Sequence, residues 1–255
     1  MTAAAAPGRT LGSQILAGCR EEGRAALIGY LPVGYPTVPE SIAAMEALIE
    51  GGIDIVEVGV PYSDPLMDGP VIQRATERAL DQGCQVDDVF TAVRAVADAG
   101  STAYVMTYWN LVLRRGVERF AADLAGAGGS GLITPDLIPD EAGEWIEASD
   151  RHGLDRVFLI APSSTRERLT VATAACRGFV YAASTMGVTG TRDSVGSAAA
   201  QVVEHAREVT DLPLCVGLGV STRAQAAEVA GYADGVIVGS ALVRALGEGG
   251  PAAVR

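Results

Sequence analysis

The stretch IDIVEVGV at 53–60, followed by PYSDPLMDGP at 61–70 and VIQRATERAL at 71–80, sets the fold. The first segment is a short β-branched run, apolar on both faces, as a strand buried in a parallel sheet must be. The last is amphipathic at helical spacing and follows a proline, which suits the first turn of a helix. Together they form one βα unit, and the pattern repeats along the chain. Further runs lie at 25–33, 102–107, 131–135, 156–161, 178–183, 213–217 and 235–238, making eight with 53–60. Helices are expected at 39–50, 71–80, 86–99, 117–127, 141–152, 166–176, 198–209 and 224–230, with an additional one at 11–20 ahead of the first strand.

Dividing 255 residues among eight units gives about 32 each, which fits an α/β fold of the (β/α)8 TIM-barrel type, roughly 250 residues long. An open doubly wound sheet is the alternative, and the lack of a Gly-rich dinucleotide fingerprint suits it less. No linker or composition break interrupts the series, so residues 1–255 are expected to form a single barrel domain. Gly247, Gly249, Gly250 and Pro251 follow the last strand closely and are expected to leave a shortened C-terminal helix.

Composition narrows the class of function. Apolar residues make up 49% and charged residues 20%, enough for a core and too apolar for a disordered chain. The balance of 19 basic against 31 acidic residues, a net charge of -12, argues against nucleic acid and anionic membranes as partners. Cys19, Cys84, Cys176 and Cys215 are scattered without a C-x-x-C pair, and His152 and His205 lie far from them, so no metal site is expected. Free thiols, no signal-peptide layout at 1–9 and no apolar run of about 18 residues point to the cytoplasm.

Barrel enzymes carry their chemistry in the loops that follow the strands. Three such loops are rich in glycine: 187–191, with Thr189 and Gly190; 217–219, with Gly217 and Gly219; and Gly239-Ser240. All three follow late strands, where a phosphate is usually held by backbone N–H groups and a helix N-terminus, although turns alone also need glycine. A second group of residues lies in the opening stretch. Glu57 interrupts a run of Ile and Val, so it is either turned to the barrel mouth or buried at a high desolvation cost. Asp68 is placed to accept a hydrogen bond from a substrate N–H, and two carboxylates in different environments can divide acid and base roles. The plain alternative is an ion-paired Glu57 and an Asp68 that caps a helix before Pro70.

At these residues the chain closely resembles the tryptophan synthase alpha subunit family. The resemblance runs in order from about Leu11 to Val243, through GYLPVGYP at 29–36, EVGVPYSDPLMDGPVIQRA at 57–75, MTYWN at 106–110, TPDLIPDE at 134–141, GFVYAASTMGVTG at 178–190, VGLGVST at 216–222 and VIVGSALV at 236–243. It implies a lyase that cleaves indole-3-glycerol phosphate to indole and glyceraldehyde 3-phosphate, with no cofactor in this chain. Glu57 matches the family's proton-shuttling glutamate and Asp68 the aspartate that binds the indole N–H. Tyr181 matches a tyrosine beside the glutamate, Tyr30 and Tyr108 match indole-pocket positions, and Gly190, Gly219, Gly239 and Ser240 match the phosphate cradle.

The resemblance also implies a beta subunit that holds pyridoxal phosphate, in an alpha-beta-beta-alpha complex. Asp64, Pro65, Asn110 and Asp136 match partner-facing positions, and the loop after the second strand together with 187–194 matches a mobile lid. A stand-alone lyase that releases free indole and a catalytically idle regulatory barrel remain as competing readings.

Overall fold

In the computed structural model, residues 10–184, 196–217 and 219–255 are described. The strands are β1 (Ala26–Pro32), β2 (Ile55–Gly59), β3 (Ala103–Met106), β4 (Gly131–Thr134), β5 (Asp155–Ile160), β6 (Val180–Ala183), β7 (Leu214–Gly217) and β8 (Gly235–Val238). Each pairs in parallel with the next, and β8 pairs with β1, from Ala26 opposite Gly235 to Gly29 opposite Val238, so the sheet closes into a barrel.

The helices around it are α1 (Leu11–Glu21), α2 (Val38–Glu50), α3 (Pro70–Asp81), α4 (Val86–Asp98), α5 (Trp109–Arg115), α6 (Val117–Gly126), α7 (Gly143–His152), α8 (Arg166–Ala175), α9 (Gly196–Arg207), α10 (Arg223–Ala230) and α11 (Ser240–Gly249). One of them, α5, was not anticipated from sequence; at seven residues it is too short to show a period, and its first N–H is held by the Asp136 carboxylate at 2.9 Å.

Side chains alternate across a strand, and this alternation places the site. Ile28, Ile55, Tyr104, Ile133, Val157, Phe179, Cys215 and Ile237 face the barrel interior and pack together. Two residues further along β1 and β2, Tyr30 and Glu57 face the same way, opposite each other in register and nearer the C-terminal mouth. The outward-facing residues pack instead against the surrounding helices.

The N-terminal end of the barrel is stoppered by α1. Asp155, 1% exposed, accepts from the Thr10 hydroxyl at 2.5 Å, the Ser13 hydroxyl at 3.0 Å and the Tyr104 hydroxyl at 2.6 Å. The N–H of Gly12 donates to Ser130 Oγ at 3.0 Å, and a Cβ on Gly12 would collide with the Tyr104 phenol.

The last helix, expected to be shortened, instead runs through Gly247 for ten residues, as long as α6, α7 and α8, and ends only at Gly250, where φ is 69°. Glycine at 247 serves packing, since a Cβ there would strike the Tyr35 hydroxyl. A 3-10 turn at Pro251–Val254 then packs back on α2. Helix α11 lies over β1, so the β8–β1 seam is covered at its C-terminal part, while Leu27 beneath remains 39% exposed.

Asp155→Ala leaves three hydroxyl donors in the α1 plug without their acceptor. It should destabilise the protein by roughly 3 kcal/mol in equilibrium unfolding, the range for breaking a buried charged network. A loss below about 1 kcal/mol would show that the hydrogen bonds of Asp155 contribute little to holding α1.

Candidate active site

A cleft opens at the C-terminal mouth, with Tyr30, Glu57, Asp68, Met106, Tyr181, Gly219, Gly239 and Ser240 among the residues that line it. Glu57 is delivered by the centre of β2 and is 1% exposed. It forms no ion pair, and its Oε2 has no hydrogen-bond partner among the described residues. Burial, and then the nearby charge of Asp68, push its pKa up to about 8.

Asp68 arrives from the loop between β2 and α3 and is half-buried. Burial raises its pKa to about 6, against a hydrogen bond from Tyr108 that favours the charged form. It does not cap α3: the N-cap is Gly69, with no side-chain cap. Both bland alternatives raised by the sequence therefore fail, and what remains is two carboxylates in one cleft with pKa values set apart by their surroundings.

Two tyrosines flank the pair. Tyr30 and Tyr181 are buried, and burial together with the two carboxylates holds both phenols well above their ordinary pKa, so they stay protonated. Each ring needs a glycine beside it, because a Cβ on Gly59 would strike the Tyr30 hydroxyl and one on Gly217 the Tyr181 hydroxyl. Gly217 thus makes room for a phenol and does not line the cleft wall, whereas Gly219, Gly239 and Ser240 do line it.

Helix α11 starts at Ser240 with no side-chain cap and no acidic residue in its first turn, which leaves its N-terminal N–H groups free for an anion. Thr189 and Gly190, like the rest of 187–194, lie outside the described residues.

Tyr108 is absent from the cleft wall; its hydroxyl is turned to the loop that carries Asp68. Asp64, Asn110 and Asp136 are exposed on the same rim, with Pro65 half-buried between them and Leu66 73% exposed. The apolar lining residues Ile72, Met106, Val220 and Ile237 were not anticipated. Met106 could have been, since it stands two residues after inward-facing Tyr104 on the same strand. Among the described residues, no cluster of three metal-ligating side chains forms.

Residues 16–253 match the family model for the tryptophan synthase alpha chain. The chain belongs to the tryptophan synthase alpha chain family. The alpha chain of Mycolicibacterium paratuberculosis is 66% identical over 95% of this chain and 90% of its own length. That of Mycobacterium marinum is 67% identical over 91% of this chain and 87% of its own.

Among solved structures, Mycobacterium tuberculosis tryptophan synthase aligns with a TM-score of 0.93 at 62% identity, covering 96% of this chain and 94% of that one. The complex from Pyrococcus furiosus aligns at 0.82 with 33% identity, covering 90% and 93%. The tryptophan synthase alpha reaction is the cleavage of indole-3-glycerol phosphate, a lyase reaction. The alpha chain carries no cofactor, and its partner is a beta subunit, which holds the pyridoxal phosphate.

The raised pKa of Glu57 links stability to pH. Between its unfolded value of 4.5 and its folded value of about 8, the folded state holds a proton that the unfolded state releases. The contribution of this group therefore falls as pH rises through that window. Glu57→Gln, neutral at every pH, should melt close to wild type at pH 4.5 and above it at pH 9. Equal melting shifts at the two pH values would mean that Glu57 is ionised at rest.

Proposed function

We propose that Glu57 is the acid and base of the alpha reaction and that Asp68 holds the indole N–H. The observation that carries this reading is the buried Glu57 carboxyl, whose Oε2 has no partner among the described residues and which is protonated near neutrality, beside an Asp68 that is ionised there. Glu57 gives its proton to C3 of the indole ring, and the positive charge that develops on the ring is stabilised by the Asp68 carboxylate at N–H. The Glu57 carboxylate then takes the proton of the glycerol 3'-hydroxyl. The bond from C3 to the glycerol carbon breaks, its electrons return to the ring, and the hydroxyl carbon becomes the aldehyde. Glu57 ends protonated, ready for another turnover.

Gly219, Gly239 and the N-terminus of α11 are suited to the substrate phosphate, with Gly190 and Thr189 completing the cradle in the family pattern. Anchoring that group far from the breaking bond fixes the geometry without a basic side chain. Tyr30 and Tyr181 offer protonated phenols to the glycerol and indole portions. Asp64, Pro65, Asn110 and Asp136 make up the rim offered to the beta subunit.

Residues 1–255 are read as one catalytic domain acting in the cytoplasm, which is compatible with the lack, among the described residues, of a helix long and apolar enough to cross a membrane. An idle regulatory barrel is disfavoured, since it would have no use for a buried carboxyl with one oxygen unsatisfied among the described residues, which destabilises the fold.

The profile of kcat/KM for indole release against pH should be a bell, rising near pH 6 as Asp68 ionises and falling near pH 8 as Glu57 loses its proton. Glu57→Gln should lower kcat by about 10²-fold or more and Asp68→Asn by a smaller factor. Wild-type indole release by the Glu57→Gln variant would overturn the assignment.

A further inference from the structure

The loop at 61–69 carries Asp68, and one atom outside it holds its last turn. The N–H groups of Leu66 and Met67 both donate to the Tyr108 hydroxyl, at 3.0 Å each. A phenol oxygen has two acceptor sites and one hydrogen. The next residue along the loop is Asp68, and the Tyr108 hydroxyl favours the charged form of its carboxyl. The two hydrogen bonds accepted by one hydroxyl thus hold the two residues that lead into Asp68.

The ring of Tyr108 is buried at the start of α5 and has its own contacts. It lies 5.1 Å from the Tyr62 ring at an interplanar angle of 33°. The Tyr62 hydroxyl accepts from Asn110 Nδ2 at 3.4 Å, and the next backbone N–H after Tyr108, that of Trp109, is held by Asp136. Asn110 and Asp136 belong to the rim assigned above to the beta subunit, and Tyr62 touches it through Asn110.

We infer that Tyr108 is a positioning residue for the alpha reaction: its hydroxyl locks residues 66 and 67, which places the Asp68 carboxylate that follows them, and its ring ties that lock to the partner-facing rim. The inference rests on the assignment of Asp68 to the indole N–H. Around Asp68 stand Glu57 from β2, Tyr30 from β1, Tyr181 from β6 and Tyr108 itself, with Asp136 facing Tyr108 from beyond β4. None of these is a cation. Among the described residues, the Tyr108 hydrogen bond is the one contact that favours the charged form of Asp68 against burial.

A partner that moves Tyr62 or Asn110 moves the Tyr108 ring, and with it the hydroxyl that orients Asp68. The lock therefore provides a physical route by which docking at the rim alters turnover in the cleft, since both ends bear on one element.

Tyr108→Phe keeps the ring and its stack and removes only the hydroxyl. Indole release should be followed with the chain alone and with saturating beta subunit. The inference expects a kcat about tenfold lower at pH 7, a KM changed less than about threefold, and an acidic limb of the pH profile moved up by about one unit, as the loss of one hydrogen bond to a charged group implies. It also expects a smaller ratio of turnover with the beta subunit to turnover without it.

In an Asp68→Asn background, Tyr108→Phe should lower kcat by no further factor, because the hydroxyl acts through Asp68. An unmoved limb with wild-type kcat, or an undiminished effect in the Asp68→Asn background, would overturn the inference while leaving Asp68 assigned. Wild-type turnover by Asp68→Asn alone would overturn the assignment of Asp68, and the inference with it.

Discussion

Everything at the mouth of this barrel is arranged around a carboxyl group with too few partners. Glu57 sits in the middle of a strand of Ile, Val and Gly, away from water, and no described residue satisfies its Oε2. An ionised carboxylate there would be expensive, so the group holds its proton to about pH 8. Asp68, on a loop with more access to water and a hydroxyl donor, gives up its proton near 6. The same side chain chemistry thus supplies a proton donor and an anion at neutral pH, which is what the cleavage of an indole–carbon bond calls for.

The two ends of the barrel spend their polar groups differently. At the N-terminal end, Asp155 is surrounded by hydroxyl donors from α1 and β3 and serves to close the barrel. At the C-terminal end the polar groups are left open: the free N-terminus of α11, two protonated phenols and the Glu57 oxygen. The net charge of -12 does not close this mouth to an anion, because the helix turn that presents its backbone N–H groups there holds no acidic residue.

Much of this was legible in the sequence because period and position carry it. The run at 53–60 declares a strand, the acidic residue within it lines the cleft, and two of the late Gly-rich loops bring Gly219 and Gly239 to the same cleft. Other features depend on tertiary contacts that no local pattern encodes. Gly217 reads as part of the cradle and instead clears space for the Tyr181 hydroxyl; Gly247 reads as a helix breaker and instead admits the Tyr35 hydroxyl. Tyr108 reads as pocket lining, yet its hydroxyl is taken up by a loop some 40 residues earlier, at separations of 42 and 41. The short helix α5 escaped because its cap, Asp136, comes from the loop after β4.

The measurement that bears most directly on the role of Glu57 is its own titration, followed by carbon-13 NMR of the side-chain carboxyl in the ligand-free protein, with Glu57→Gln to assign the signal. A midpoint near 8, with the neutral form dominant at pH 6.5, is the expected result. A midpoint near the ordinary 4.5 would contradict it, since an already ionised Glu57 could not protonate the indole ring.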